Sequence, residues 1–206
     1  RVLDRLENGG QGLNLTFEVL DAIEKSSKAR EDIFAEGWGV PATLEGQVVK
    51  TADAIAYVNH DILDAIRAGL IVEDDLPAIA RHTLGTNHPE RLNSLICDAI
   101  EASWDATGAG SNPVIRFSPR VHEAANELRE FMFRRVYLYD STRREAERGK
   151  RIVLFLFHHF VANPDGISPG YSLPDDPIDR RAADFVSGMT DRYAIRLAAE
   201  LGCPEA

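Results

Sequence analysis

TADAIAYVNHDILDAIRA, residues 51–68, has the periodicity of a helix but not its usual filling. Three aspartates, a histidine and a tyrosine stand in its interior, where Glu, Lys or Ala would favour the helical state more. At about 100° per residue, Asp53, Tyr57, His60, Asp61 and Asp64 fall within roughly 100° of one another. Val48, Ala52, Ile55, Ile62, Leu63 and Ile66 spread over the opposite side, the expected core contact. Periodicity alone fits a solvated polar face. Against that reading, such a face would be better served by Glu and Lys, and a short aspartate holds its oxygens close to the backbone, which suits a hard divalent cation. Tyr57, one turn beyond Asp53, adds a ring and a hydroxyl of the kind that lines ligand pockets.

Helical periodicity continues on both sides of this stretch. No segment sustains the alternation of a half-buried strand, so the expected fold class is all-α. Upstream, NGGQG at residues 8–12 marks a turn, and Thr16 is the N-cap of a helix reaching residue 29. GWGVP at residues 37–41 is a loop whose proline sets the entry to the motif helix, and Gly69 ends that helix. Further helices are expected over residues 75–84, 89–106, 119–137, 141–161 and 178–201. TGAGSNP at residues 107–113 reads as a flexible connector, and the Pro/Gly-rich stretch 163–177 as a long loop. Ile152, Leu154, Phe155, Phe157 and Phe160 make the 141–161 helix a core element. The expected organisation is a helical region over residues 1–162, the loop over 163–177, and a C-terminal helix within 178–206 packed on the same domain.

Composition bounds the function. With 206 residues, 44% of them hydrophobic, the chain can bury one sizeable core. Its 33 acidic and 23 basic side chains give a net charge of −10, which argues against coating nucleic acid or an anionic membrane by bulk electrostatics. A local basic groove for nucleic acid stays open. Arg134, Arg135, Arg143, Arg144, Arg148, Lys150 and Arg151 cluster in the sequence, but Glu145 and Glu147 interleave with them at helical spacing, as on a solvated face. No run reaches the roughly 18 apolar residues of a membrane span. Cys97 and Cys203 read as reduced thiols of a cytoplasmic protein. His158 and His159 sit in a Phe-rich helix without an acidic or Cys companion at ligand spacing, so packing is the expected role. GISPG at residues 166–170 matches the G-x-S-x-G pattern of serine hydrolases, yet Pro169 follows the serine and has no N–H for an oxyanion hole. RVLDRLE at residues 1–7 already reads as the middle of an amphipathic helix, so a fragment of a longer protein is expected.

One family shares these motifs. LEGQVVKTADAIAYVNHDILDAIRAGL, residues 44–70, resembles the signature segment of the HD-domain deoxynucleoside triphosphate triphosphohydrolases, the dGTPase and dGTPase-like proteins. The resemblance continues through RVLDRLE, GLNLT at 12–16, HPERLN at 88–93, FSP at 117–119, LREFMF at 128–133 and SGMTDRY at 187–193. It implies an HD-domain-like helical bundle, with this chain as the C-terminal part. It further implies Asp53 as a metal ligand, Tyr57 as a contact to the substrate phosphates or sugar, and Asp61 facing the deoxyribose. The family reaction removes intact triphosphate from a deoxynucleoside triphosphate (dNTP) with a divalent cation such as Mg²⁺ or Mn²⁺, and its members commonly form homo-oligomers. His60, Asp64 and Lys50 are further pocket candidates without assigned roles. Lys50, Arg67, Arg81 and Arg91 are candidates for neutralising the triphosphate.

The departures are informative. Where the family usually reads DIDD, this chain reads DILD, with Leu63 at an acidic position. The family's first metal His, its His-Asp doublet and a catalytic His lie upstream of this segment, and none of them is present in these 206 residues; the one His-Asp pair in the sequence, His60-Asp61, follows Asp53 on the same helix and cannot replace the doublet. No catalytic residue is therefore assigned within the chain, and the expected metal site is incomplete. Two other readings remain: a non-catalytic helical nucleotide-binding or interaction fragment, and another HD-family phosphohydrolase. Tyr57 and Asp61 count against the latter.

Overall fold

A computed structural model describes residues 1–26, 39–107, 113–138, 140–168, 170, 173 and 175–206. Helices among them are α1 (Phe17–Lys25), α2 (Leu44–Arg67), α3 (Ala78–Leu84), α4 (His88–Ala102), α5 (Pro119–Met132), α6 (Asp140–Ala162), α7 (Ile178–Ser187) and α8 (Asp191–Glu200). The described residues contain no strand, and the fold is all-α. No helix among them is long and apolar enough to cross a membrane. Residues 16–139 form one compact unit, and residues 1–15 with 140–206 form another.

In the first unit, α2 is the central element, packed by α1 and α4, while α5 packs on α3. Thr43 caps α2 by accepting a hydrogen bond from the Gly46 N–H at 3.1 Å. Its other end closes as a Schellman turn: Leu70 N–H donates to Ala65 O, Gly69 N–H donates to Ile66 O, and Gly69 takes a φ of 70°. Gly46 is needed for contact rather than for conformation. A Cβ there would lie 2.8 Å from the Pro41 Cβ and 2.9 Å from the Ala22 Cβ, too close for α1 and the entry loop to keep their places. Ile55, Val58, Ile62 and Ala65 of α2 are buried with Ala80 and Leu84 of α3, Leu95 of α4, and Val121, Ala124, Leu128 and Met132 of α5.

The core stripe of α2 is rotated from the expected one. Val48 is 49% exposed and Ala52 is exposed, while Val58, Asn59 and Ala65 are buried. Val48, Ala52 and Ala56 instead line an open apolar groove of about 500 Å³, facing Ile96, Ile100 and Trp104. Asn59 is fully buried; its Nδ2 donates to Ile55 O at 2.8 Å, bonding back along its own helix, while its Oδ1 meets no hydrogen-bond donor among the described residues.

In the second unit, α7 and α8 pack on α6. Ile152, Leu156 and Phe160 meet Ala182, Phe185, Val186 and Ala198, with the Phe160 and Phe185 rings edge to face at 4.8 Å. Leu154 is 47% exposed, so the Phe-rich helix is amphipathic rather than wholly buried. The expected helix over 178–201 is two helices. It breaks after Ser187, and Thr190 starts the second by accepting from the Tyr193 N–H at 3.3 Å.

Other boundaries also shift for local reasons. The helix expected from residue 75 begins at Ala78, because Leu76 precedes Pro77 and is held extended, and residues 73–75 form a separate 3₁₀ turn. The helix expected over 89–106 ends at Ala102, with a 3₁₀ turn Trp104–Thr107 following. Residues 2–6 form a π-helical turn with no buried side chain rather than an amphipathic α-helix, and Asn8 and Gly9 then take left-handed conformations. The expected end of α1 at residue 29, residues 37–38 of the entry loop, and residues 108–112 of the connector lie outside the described residues, as do 169, 171, 172 and 174 of the long loop. Cys97 and Cys203 are both free thiols.

Candidate functional site

The site is built where the polar side of α2 meets the far end of α5. A π-helical turn, Phe133–Tyr137, prolongs α5, and Leu138 N–H reaches back five residues to Phe133 O at 3.0 Å. His122, Asn126, Arg129, Phe133 and Tyr137 recur three or four residues apart and so share one side of this element. Three neighbouring pairs along the row touch. His122 Nε2 and Asn126 Nδ2 are 3.1 Å apart, the Arg129 guanidinium lies 5.8 Å from the Phe133 ring centre, and the Phe133 and Tyr137 rings meet edge to face at 5.1 Å.

The last member of the row closes on α2. The Tyr137 hydroxyl donates to Asp61 Oδ2 across 76 residues of sequence. The Tyr57 ring lies 6.4 Å from that of Tyr137, and its hydroxyl is hydrogen-bonded with both Tyr137 and Asp61. Burial is the main cause that raises the Tyr137 phenol well above the usual tyrosine range, and the bond to the Asp61 carboxylate adds to it. Burial likewise raises the Tyr57 phenol, with the Asp61 and Asp53 charges contributing. Both phenols therefore stay protonated across the neutral range and remain hydrogen-bond donors.

Asp53 is exposed one turn before Tyr57, and its charge reaches the Tyr57 phenol. Lys50, half-buried on the same side of α2, donates to Gly39 O at 2.8 Å. Burial and the nearby Lys25 charge lower its ammonium pKa. The remaining candidates face elsewhere. His60 stacks on His88 at the start of α4, with ring centres 6.0 Å apart. Asp64 pairs at 3.3 Å with Arg67, and both side chains are about 70% exposed. The structure thus gathers Tyr57 and Asp61 with Tyr137, holds Asp53 and Lys50 on the same side, and leaves His60 and Asp64 outside the cluster.

Asp53 fits one position of a hard-cation site, as an exposed carboxylate on a rigid helix. The described residues gather no group of three His, Cys, Asp or Glu side chains that could hold a metal ion, so they do not complete such a site.

Comparison with known proteins agrees with this architecture. Residues 115–200 match the family described as a phosphohydrolase-associated domain, which takes in all of α5, its π-helical turn and Tyr137. Deoxyguanosinetriphosphate triphosphohydrolase-like proteins of Caldanaerobacter subterraneus and Clostridium tetani are each 38% identical to the chain, over 99% and 100% of it. That of Desulfatibacillum aliphaticivorans is 35% identical over 95% of it. Along nearly its whole length the chain is similar to these dGTPase-like proteins. It spans 56% to 58% of their length, and the part it matches is C-terminal.

Tyr137 is the site residue that reading the sequence alone did not single out. Its signal was present in the polar and aromatic row of α5. What sequence could not supply was the partner, because the row meets α2 only once both helices are packed.

Proposed function

We propose that the protein is a metal-dependent phosphohydrolase that cleaves a dNTP to a deoxynucleoside and inorganic triphosphate, with this chain contributing the sugar-reading part of the site. What supports the reading is the Tyr57–Asp61–Tyr137 cluster one turn beyond Asp53, in a chain similar along its length to dGTPase-like proteins. Asp61, already accepting from a phenol, presents a further acceptor to a sugar hydroxyl, and the two tyrosine rings offer faces for the sugar. The Lewis acidity needed at the α-phosphate is assigned to a divalent cation, Mg²⁺ or Mn²⁺, of which Asp53 is one ligand. By the resemblance, the other ligands and the catalytic histidine lie upstream of these residues. A homo-oligomeric, cytoplasmic protein is part of the same proposal.

The test is triphosphate release from a panel of dNTPs by the full-length protein supplied with Mg²⁺ or Mn²⁺. Asp53→Ala is expected to lower kcat/KM by about 10³-fold or more, since a metal ligand supports several kcal/mol of transition-state charge stabilisation. Full activity in that variant would sink the assignment. Absence of triphosphate release from every dNTP by the wild-type protein would sink the reaction itself.

A further inference from the structure

Phe133 is a large aromatic side chain set apart from the core. Among the described residues, Phe131 and Tyr137 pack against the buried cluster of the first unit, whereas Phe133, only half-buried, does not. Its ring meets instead the two members of its own row that lie four residues away on either side. The Arg129 guanidinium lies over it, 5.8 Å from the ring centre, and Tyr137 meets it edge to face at 5.1 Å, with the ring planes 80° apart. Arg129 is itself well covered, its side chain 11% exposed and 3.4 Å from the Glu130 carboxylate. A ring placed between a cation and a phenol supplies orientation more than burial.

The phenol has use for such a neighbour. Tyr137 reaches Asp61 through two side-chain torsions, and its hydrogen bond to the carboxylate holds only the far end of the ring. Tyr57 approaches Tyr137 at 6.4 Å with the planes 35° apart, a looser contact than that of Phe133. Edge-to-face packing prefers an angle as well as a distance, so Phe133 restrains the tilt that the hydrogen bond leaves free. The restraint is local, because Phe133 opens the π-helical turn that Tyr137 closes.

We propose that Phe133 is a positioning residue, whose ring, steadied by Arg129, holds the Tyr137 phenol against Asp61 and so sets the geometry of the sugar-reading cluster. The inference rests on the dNTP reading above and deepens it, since part of the affinity for the sugar is assigned to a ring that acts only through Tyr137.

The experiment compares Phe133→Leu, Phe133→Tyr, Tyr137→Phe and the double variant of Phe133→Leu with Tyr137→Phe in the full-length protein. Thermal unfolding is expected to shift little in each, because Phe133 lies outside the core. Phe133→Leu is expected to raise the KM for dNTP about fivefold, the scale of one edge-to-face ring pair, with kcat changing less. Phe133→Tyr keeps the ring and is expected to restore most of the affinity. In the Tyr137→Phe background, Phe133→Leu is expected to change KM by less than twofold, the non-additivity of two residues that act as one unit. A KM for Phe133→Leu within twofold of wild type, or an effect that adds in full to that of Tyr137→Phe, overturns the role and leaves the reaction standing.

A second readout needs no turnover. At pH ~10.5, where an ordinary tyrosine is mostly ionised, Tyr137 is held protonated by the fold. Tyrosinate absorbance, read while circular dichroism shows the fold intact, is expected to report one more ionised phenol in Phe133→Leu than in wild type, and no such gain in the Tyr137→Phe background. An unchanged absorbance overturns the positioning role. If no dNTP is hydrolysed yet the extra phenol is seen, the reaction falls and the restraint on Tyr137 stands.

Discussion

The two flanks of α2 show opposite uses of one helix. Toward α5, the side that periodicity would assign to solvent is partly covered: Tyr137 closes on Asp61, and Lys50 is half-buried beside a pocket. Toward α4, apolar positions that periodicity would assign to the core are open, with Trp104 69% exposed and Ile100 53% exposed along the groove. An amphipathic pattern records which side chains dislike water. It does not record which of them are met by another element.

The comparison is broken or sharpened most strongly by core truncation on the two sides of the boundary. Ile62 is fully buried, whereas Ile96 lines the groove at 42% exposure. Ile62→Ala is expected to cost about 3 kcal/mol in urea unfolding, from lost transfer energy and a cavity, and Ile96→Ala about 1 kcal/mol or less. Equal costs would mean that the groove is closed in solution.

A smaller effect is expected on the polar flank. Tyr137→Phe removes the donor to Asp61 while keeping the ring against Phe133. Loss of one hydrogen bond to a charged acceptor predicts about a tenfold fall in kcat/KM for dNTP in the full-length protein. An unchanged rate would reduce the cluster to a packing contact.

The third expectation concerns alkaline pH. The folded state holds the Tyr57 and Tyr137 protons more tightly than an unfolded chain, whose tyrosines titrate near pH ~10. Their contribution to stability is therefore fully present below pH ~10 and is lost as pH rises above it, because the unfolded state then binds fewer protons. Denaturant midpoints measured from pH 9 upward are expected to fall for the wild type and to fall less for Tyr137→Phe. Parallel curves would show that Tyr137 is not held protonated by the fold.

Much of this molecule was readable before any coordinates. Helix class and the C-terminal end of α2 followed from local chemistry, since Gly69 acts on backbone groups a few residues away, whereas the Thr43 cap and the close packing at Gly46 were not singled out. The break at residues 188–190 was equally local, and Gly188 followed by a capping Thr190 marked it, but apolar periodicity on both sides masked the signal. Placement of the site residues was only half legible. Asp53, Tyr57 and Asp61 share a helix and so declared a common side, whereas His60 and His88 met across two helices, and Arg91 found its carboxylate 18 residues away. Such pairings depend on how helices pack, which spacing within one helix does not encode.

The π-helical turn at Phe133–Tyr137 ties the Tyr137–Asp61 contact to the helix type of one short segment. A π turn fits one more residue into a turn than an α-helix does, and each α-helical residue carries about 100° of rotation. Were these residues to relax to an ordinary α-helix with none removed, every later side chain would swing by about 100°, and the phenol would point away from its carboxylate. Removing one residue within the turn would instead take up the surplus as the turn tightens and leave Tyr137 on its present side. A single-residue deletion here is therefore expected to disturb the contact less than an insertion, which the wide turn has no further room to absorb.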